Sequence, residues 1–235
     1  MNDRIAKQKL NVILMIDCST SMRGERIKQV NDALKDIQLY LTNLQNDNIN
    51  VDFNISVITF STDAFLINKD KEKNIAKFSF KDIKAGGWSN LHLAYDKLGE
   101  LLDKEKNGGI MPDFGGTAPI ILLLTDGHPT GNLYKESLEK LKNKSWFNVA
   151  MKYGIAIELK DNKTIGVLRD FVGKNGDVIQ VYNSNLLQRI IKLVVLKASQ
   201  VQSRASQIKT SKQNKISMVK QAVQHAIQEV DDWEW

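Results

Sequence analysis

The segment VILMIDCSTSM, Val12 to Met22, runs five apolar residues into Asp17, Ser19 and Ser21. A carboxylate and two hydroxyls thus stand on alternate positions where a hydrophobic strand ends. Asp and Ser favour turns and helix caps, but the same three oxygens can hold a hard cation. Two further segments carry matching chemistry, GGWSN with Ser89 and LLLTDGHPTGN with Asp126. All five candidates are oxygen donors, with no histidine or thiol among them. Such a set suits Mg2+, with Mn2+ or Ca2+ as alternatives, rather than zinc or copper. Each residue also has a plainer reading: Ser89 as the N-cap of the helix that follows, Asp126 and Gly127 as a turn pair, and the nearby His128 as a loop residue.

For these oxygens to meet, the elements between them must bring three strand ends together. Ile27, Val30, Leu34, Ile37, Leu41 and Leu44 recur at steps of three and four, the stripe of an amphipathic helix. Val51 to Phe60 alternates as a strand and turns at Ser61, Thr62 and Asp63 into Ala64 to Ile67, an antiparallel edge hairpin. Leu91, Ala94, Leu98, Leu101 and Leu102 mark a second helix, and a glycine-containing loop spans 104–118. Ile120 to Leu124 is the continuous apolar run of a strand buried on both faces. A helix at 133–143, a strand at 148–157, a helix at 163–172, a strand at 177–182 and a helix from 185 complete the series. Alternation of this kind predicts a doubly wound α/β fold, a mostly parallel sheet with one antiparallel edge strand and helices on both faces. Ligands of such sheets bind at the carboxyl ends of the strands, beside the point where strand order reverses. If the first strand and Ile120 to Leu124 are neighbours there, Asp17, Ser19 and Ser21 face Asp126, and the GGWSN loop supplies Ser89.

The chain has 235 residues, 42% hydrophobic and 26% charged, ordinary values for a globular α/β domain. Its 33 basic and 27 acidic residues leave a net charge of +6, with the basic residues scattered, so no nucleic-acid partner is expected. The opening MNDRIAKQKL is polar, and the apolar run behind it is too short for a signal core or a membrane span. With Cys18 as the sole cysteine, a cytoplasmic setting without membrane contact is the expectation. The division expected is a domain over 1–198 and, over 199–235, a polar connector, an amphipathic helix through Ile216, Val219, Val223 and Val230, and an acidic aromatic end. That end, Asp231, Asp232, Trp233, Glu234 and Trp235, interleaves three carboxylates with two indoles, the chemistry of a partner-binding peptide.

DCSTSM, GGWSN and LLLTDGHPTGN together resemble the metal-ion-dependent adhesion site (MIDAS) of von Willebrand factor type A (VWA) domains. The glycine-containing loop before APIILLLTDG, NVAMKYGIAIEL and IGVLRDFVGKNGDVIQVYN are more similar to the bacterial cytoplasmic branch typified by TerY and YegL, associated with tellurium resistance and stress response. The resemblance covers about residues 8–197. It implies a Rossmann-like VWA fold, a metal site of Asp17, Ser19, Ser21, Ser89 and Asp126, and a partner that completes the metal with its own Asp or Glu. It further implies association with a protein kinase and a metal-dependent protein phosphatase. Most members carry threonine at the position of Ser89; serine keeps the hydroxyl. The function expected is a non-catalytic, metal-dependent protein-interaction module. Alternatives are a metal-dependent phosphohydrolase, which generally needs a second carboxylate where Ser19 stands, or a subunit of an ATPase complex. No P-loop and no G-x-S-x-G elbow occurs.

Overall fold

The computed structural model describes residues 8–47, 51–67, 73–159 and 162–207. The amphipathic segment at 216–230 and the end Asp231 to Trp235 lie outside them. Among the described residues seven strands form one sheet: β1 (Gln8–Asp17), β2 (Val51–Phe60), β3 (Ala64–Leu66), β4 (Lys73–Asn74), β5 (Ile120–Thr125), β6 (Met151–Ile157) and β7 (Asp177–Val181). Their order is β3-β2-β1-β5-β6-β7, with β4 pairing on β2. β1, β2, β5, β6 and β7 are parallel. The antiparallel strand expected at Ala64 is β3, and a second antiparallel pairing, β4, escaped the sequence because it is two residues long within a lysine-rich stretch.

The helices are α1 (Glu25–Asp47), α2 (Leu91–Leu101), α3 (Leu133–Lys142), α4 (Ser145–Val149), α5 (Asn162–Val172) and α6 (Ser184–Gln207). Period-two strands and period-3.6 helices sort the core into two layers. Leu10, Val12, Leu14 and Ile16 of β1 face α1 and α6, packing with Val30, Leu34, Ile37 and Leu41 and with Leu187, Ile190 and Ile191. Ile13 and Met15 face the other way, toward Leu91, Tyr95 and Leu98 of α2, Leu138 of α3 and Leu168 and Phe171 of α5. Gly154 in β6 permits a close approach of α5, since a Cβ there would lie 2.9 Å from Cβ of Leu168. None of the helices among the described residues is long and apolar enough to cross a membrane.

Two boundaries differ from expectation. The strand expected from 148 begins at Met151, because Ser145 to Val149 form the short helix α4, which buries Phe147. The helix α6 runs without interruption from Ser184 to Gln207, across the 198/199 boundary. Glutamine, serine, alanine and arginine change the composition there, but none of them breaks a helix.

Lys152 of β6 is buried, 5% exposed, with Nζ donating to the Phe147 carbonyl at 2.7 Å and 4.4 Å from the Phe147 ring centroid. Burial pulls its ammonium down from 10.5 to about 8. Below about pH 8 the folded chain bears the full cost of the buried charge. Between there and the ordinary lysine value the unfolded chain holds a proton that the folded chain has released, so stability rises with pH. Urea unfolding from about pH 8 to about pH 10 should show wild type gaining on Lys152→Met by on the order of 2 kcal/mol. Parallel stability curves would contradict a buried, depressed lysine.

Candidate metal centre

The chain leaves β1 toward β2 on one side and returns through β5 on the other, so strand order reverses between β1 and β5. These two strands pair from Val12↔Ile120 to Ile16↔Leu124. Asp17 closes β1 and Asp126 follows β5, so the register sets the two carboxylate positions at the same edge of the sheet. All five sequence-predicted residues gather here.

Asp17 is fully buried. Its Oδ1 accepts from the Ser19 backbone N–H at 2.8 Å. Its Oδ2 accepts from the Ser89 hydroxyl at 3.0 Å and the Thr125 hydroxyl at 2.7 Å. The hydroxyl oxygens of Ser19 and Ser21 lie 3.1 Å apart, and Ser21 donates to Asp126 Oδ1 at 2.7 Å. Desolvation raises the Asp17 carboxyl above the ordinary carboxylate range, against the lowering effect of bonds from Thr125, Ser19 and Ser89. A buried carboxylate that still lacks charge compensation beside a cluster of hydroxyl oxygens is a donor set a hard divalent cation fits.

Three loops are stitched together to hold this arrangement. The Thr20 N–H donates to the Gly87 carbonyl, Gly86 N–H to the Cys18 carbonyl and Asn90 N–H to the Ser61 carbonyl. The Trp88 N–H donates to the Thr62 hydroxyl, and the Asn90 amide to the Thr62 carbonyl. Gly87 has φ +88°, and a Cβ there would lie 2.4 Å from Thr62 Oγ1, so both backbone and space demand glycine. Thr130 N–H donates to the Ser89 carbonyl and its hydroxyl accepts from the Ser89 N–H, tying in the loop after β5. Asn90, not Ser89, is the N-cap of α2; the Ser89 hydroxyl is committed to Asp17. The indole of Trp88 stands 67% exposed beside it. Cys18 is buried in the same loop, and burial pushes its thiol up to about 11. His128 is exposed.

The sequence reading missed three residues. Thr125 occupies the strand end just before Asp126 and hydrogen-bonds Asp17. Arg26 bridges Asp126, Nη1 to Oδ2 at 2.6 Å, and Glu158, Nε to Oε2 at 3.1 Å. Glu158 follows β6 as Asp17 ends β1, an apolar run closed by a carboxylate, and that repetition was the available signal.

The family model of the von Willebrand factor type A domain matches residues 11–193. The chain belongs to this family. VWA domains are metal-dependent protein-interaction modules. Inter-alpha-trypsin inhibitor heavy chain H4 of Bos taurus is 33% identical over 134 residues, 54% of this chain but only 14% of that protein. The VWA chain therefore spans a small part of the relative it matches. The VWA2 paralog of ArnB from Sulfolobus acidocaldarius shares the fold with TM-score 0.55 at 24% identity, covering 80% of this chain and 45% of that one. Proximal thread matrix protein 1 of the mussel byssus, solved with a zinc-occupied MIDAS motif, matches with TM-score 0.54 at 21% identity over 83% and 48% of the two chains.

Because the folded VWA domain raises the Asp17 carboxyl above its unfolded value, ionised Asp17 costs stability once pH passes the unfolded carboxylate range. Asp17→Asn removes that charge. Its metal-free melting temperature should be no lower than wild type's, while the rise produced by Mg2+ in wild type disappears. Ser89→Thr should keep the rise and Ser89→Ala should weaken it. A Mg2+ response that survives in Asp17→Asn would remove Asp17 from the site.

Proposed function

We propose that this VWA domain is a non-catalytic protein-interaction module whose Asp17, Ser19, Ser21, Ser89 and Asp126 hold a divalent cation, Mg2+ with Mn2+ or Ca2+ as alternatives, and whose partner supplies an Asp or Glu to complete it. The observation that carries the reading is the convergence of oxygens from three separate loops on a switch point, with Asp17 fully buried among hydroxyl donors. The metal supplies a positive charge to which a partner's carboxylate binds. The chain's own residues fix the oxygens and set the apolar rim: Trp88, presented on a stitched loop, suits a partner with an apolar side chain beside its acidic one.

The resemblance to the TerY and YegL branch supports a setting in phosphosignalling with a protein kinase and a metal-dependent phosphatase, in a tellurite or stress response. The end Asp231, Asp232, Trp233, Glu234 and Trp235 carries the chemistry expected of the partner and is a candidate docking peptide. A phosphohydrolase reading is less well supported, because Ser19 stands where the acid/base carboxylate belongs.

Capture from cell extract with the full chain as bait tests the proposal. Partners should be retained with Mg2+ and lost with chelator, and lost equally by Asp17→Asn. A parallel bait lacking residues 231–235 reports whether the tail takes part. Capture that is indifferent to both chelator and Asp17→Asn would refute the adhesion-site reading, and turnover of a phosphate ester abolished by Asp17→Asn would replace it with the enzyme.

A further inference from the structure

Arg26 is an unexpected neighbour for a cation site. It lies in the first turn of α1, where the helix dipole disfavours a positive side chain. It nevertheless reaches back to the loop, with Nη1 donating to Asp126 Oδ2 at 2.6 Å and to the Ser21 carbonyl at 3.0 Å. Its Nε donates to Glu158 Oε2 at 3.1 Å. Gln29, one turn along α1, donates to the other Glu158 oxygen at 3.1 Å. One guanidinium is thus shared between the buried carboxylate of Asp126 and the partly exposed carboxylate of Glu158.

Glu158 is itself held in place at a cost. Among the described residues it is the one non-glycine with positive φ, +47°, a conformation L residues adopt rarely. Its N–H donates to the Val181 carbonyl at 2.8 Å, tying the end of β6 to the end of β7. Strained backbone that aims a side chain at a site points to a use for that side chain.

We propose that Arg26 is a tethered counter-cation that competes with the divalent ion for the charge of Asp126, and that Glu158, by drawing part of the guanidinium away, sets how tightly the site holds its metal. The inference rests on the metal site proposed above. Arg26 is a positioning residue here: it acts on the ion through Asp126. Without metal, Arg26 relieves the repulsion among Asp17, Asp126 and Glu158; with metal, the same positive charge works against binding. Removing it therefore moves the two states in opposite directions. Losing Glu158 leaves Asp126 as the one carboxylate paired with Arg26 and takes one negative charge from the surroundings, both of which weaken metal binding.

The test is calorimetric titration of the full chain with Mn2+, alongside melting curves in chelator. Arg26→Met should bind Mn2+ about tenfold more tightly than wild type, the effect of one charge some ångströms from a divalent ion in a largely aqueous dielectric. It should also melt at a lower temperature when metal-free. Glu158→Gln should bind more weakly, by about threefold or more, and Arg26→Lys, which keeps the charge, should stay near wild type. A purely structural Arg26 would lower the melting temperature without tightening binding. Unchanged or weaker Mn2+ affinity in Arg26→Met would overturn the inference while leaving the metal site standing. A wild-type chain that binds no Mn2+ would overturn both.

Discussion

The carboxylate of Asp17 dominates the organisation of this molecule. It ends the central strand of the sheet, flanked by β2 and β5, with no exposure to solvent. A charge so placed costs several kcal/mol unless hydrogen bonds or an opposite charge offset it. The chain meets this demand locally with the Ser19 N–H, and at long range with hydroxyls from Ser89 and Thr125. Those two hydroxyls come from elements more than 70 and 100 residues away in sequence. The loops must therefore be held to one another, which explains the bonds between Thr20 and Gly87, Gly86 and Cys18, and Asn90 and Ser61.

The same stitching gives the site its character as a surface. Loops tied to one another by hydrogen bonds present oxygens and one exposed indole, and on the proposed function such pre-organisation would lower the entropy cost of docking. Charge is arranged to match. Asp17, Asp126 and Glu158 lie at the ends of β1, β5 and β6, and Arg26 of α1 links the latter two. A divalent ion added among these groups would bring the local charge toward balance.

Most of this was legible from residue order. The continuous apolar run of β5 marked a strand buried on both faces, the adjacency of β1 and β5 was a supposition that their pairing bears out, and the family resemblance is what grouped Asp17, Ser19, Ser21, Ser89 and Asp126 in one site. Periodicity failed where elements are short or where composition misleads. β4 has two residues and α4 five, too few for either period to register. The glutamine-rich run after Ser199 resembled a connector, yet helix propensity carried α6 to Gln207. Thr125, Arg26 and Glu158 were not among the candidate site residues read from the sequence. Their roles depend on three-dimensional neighbours 100 residues or more away, which local patterns do not encode.

The clustered oxygens are proposed to hold a divalent metal ion. This proposal is tested most directly by a crystal structure of the chain grown with Mn2+, with diffraction collected at the manganese absorption edge. One dominant anomalous peak is expected within coordinating reach, about 2.0–2.6 Å, of the hydroxyl oxygens of Ser19, Ser21 and Ser89, with Asp17 and Asp126 around it. A structure with no anomalous density at that switch point, or with manganese bound only elsewhere, would contradict it.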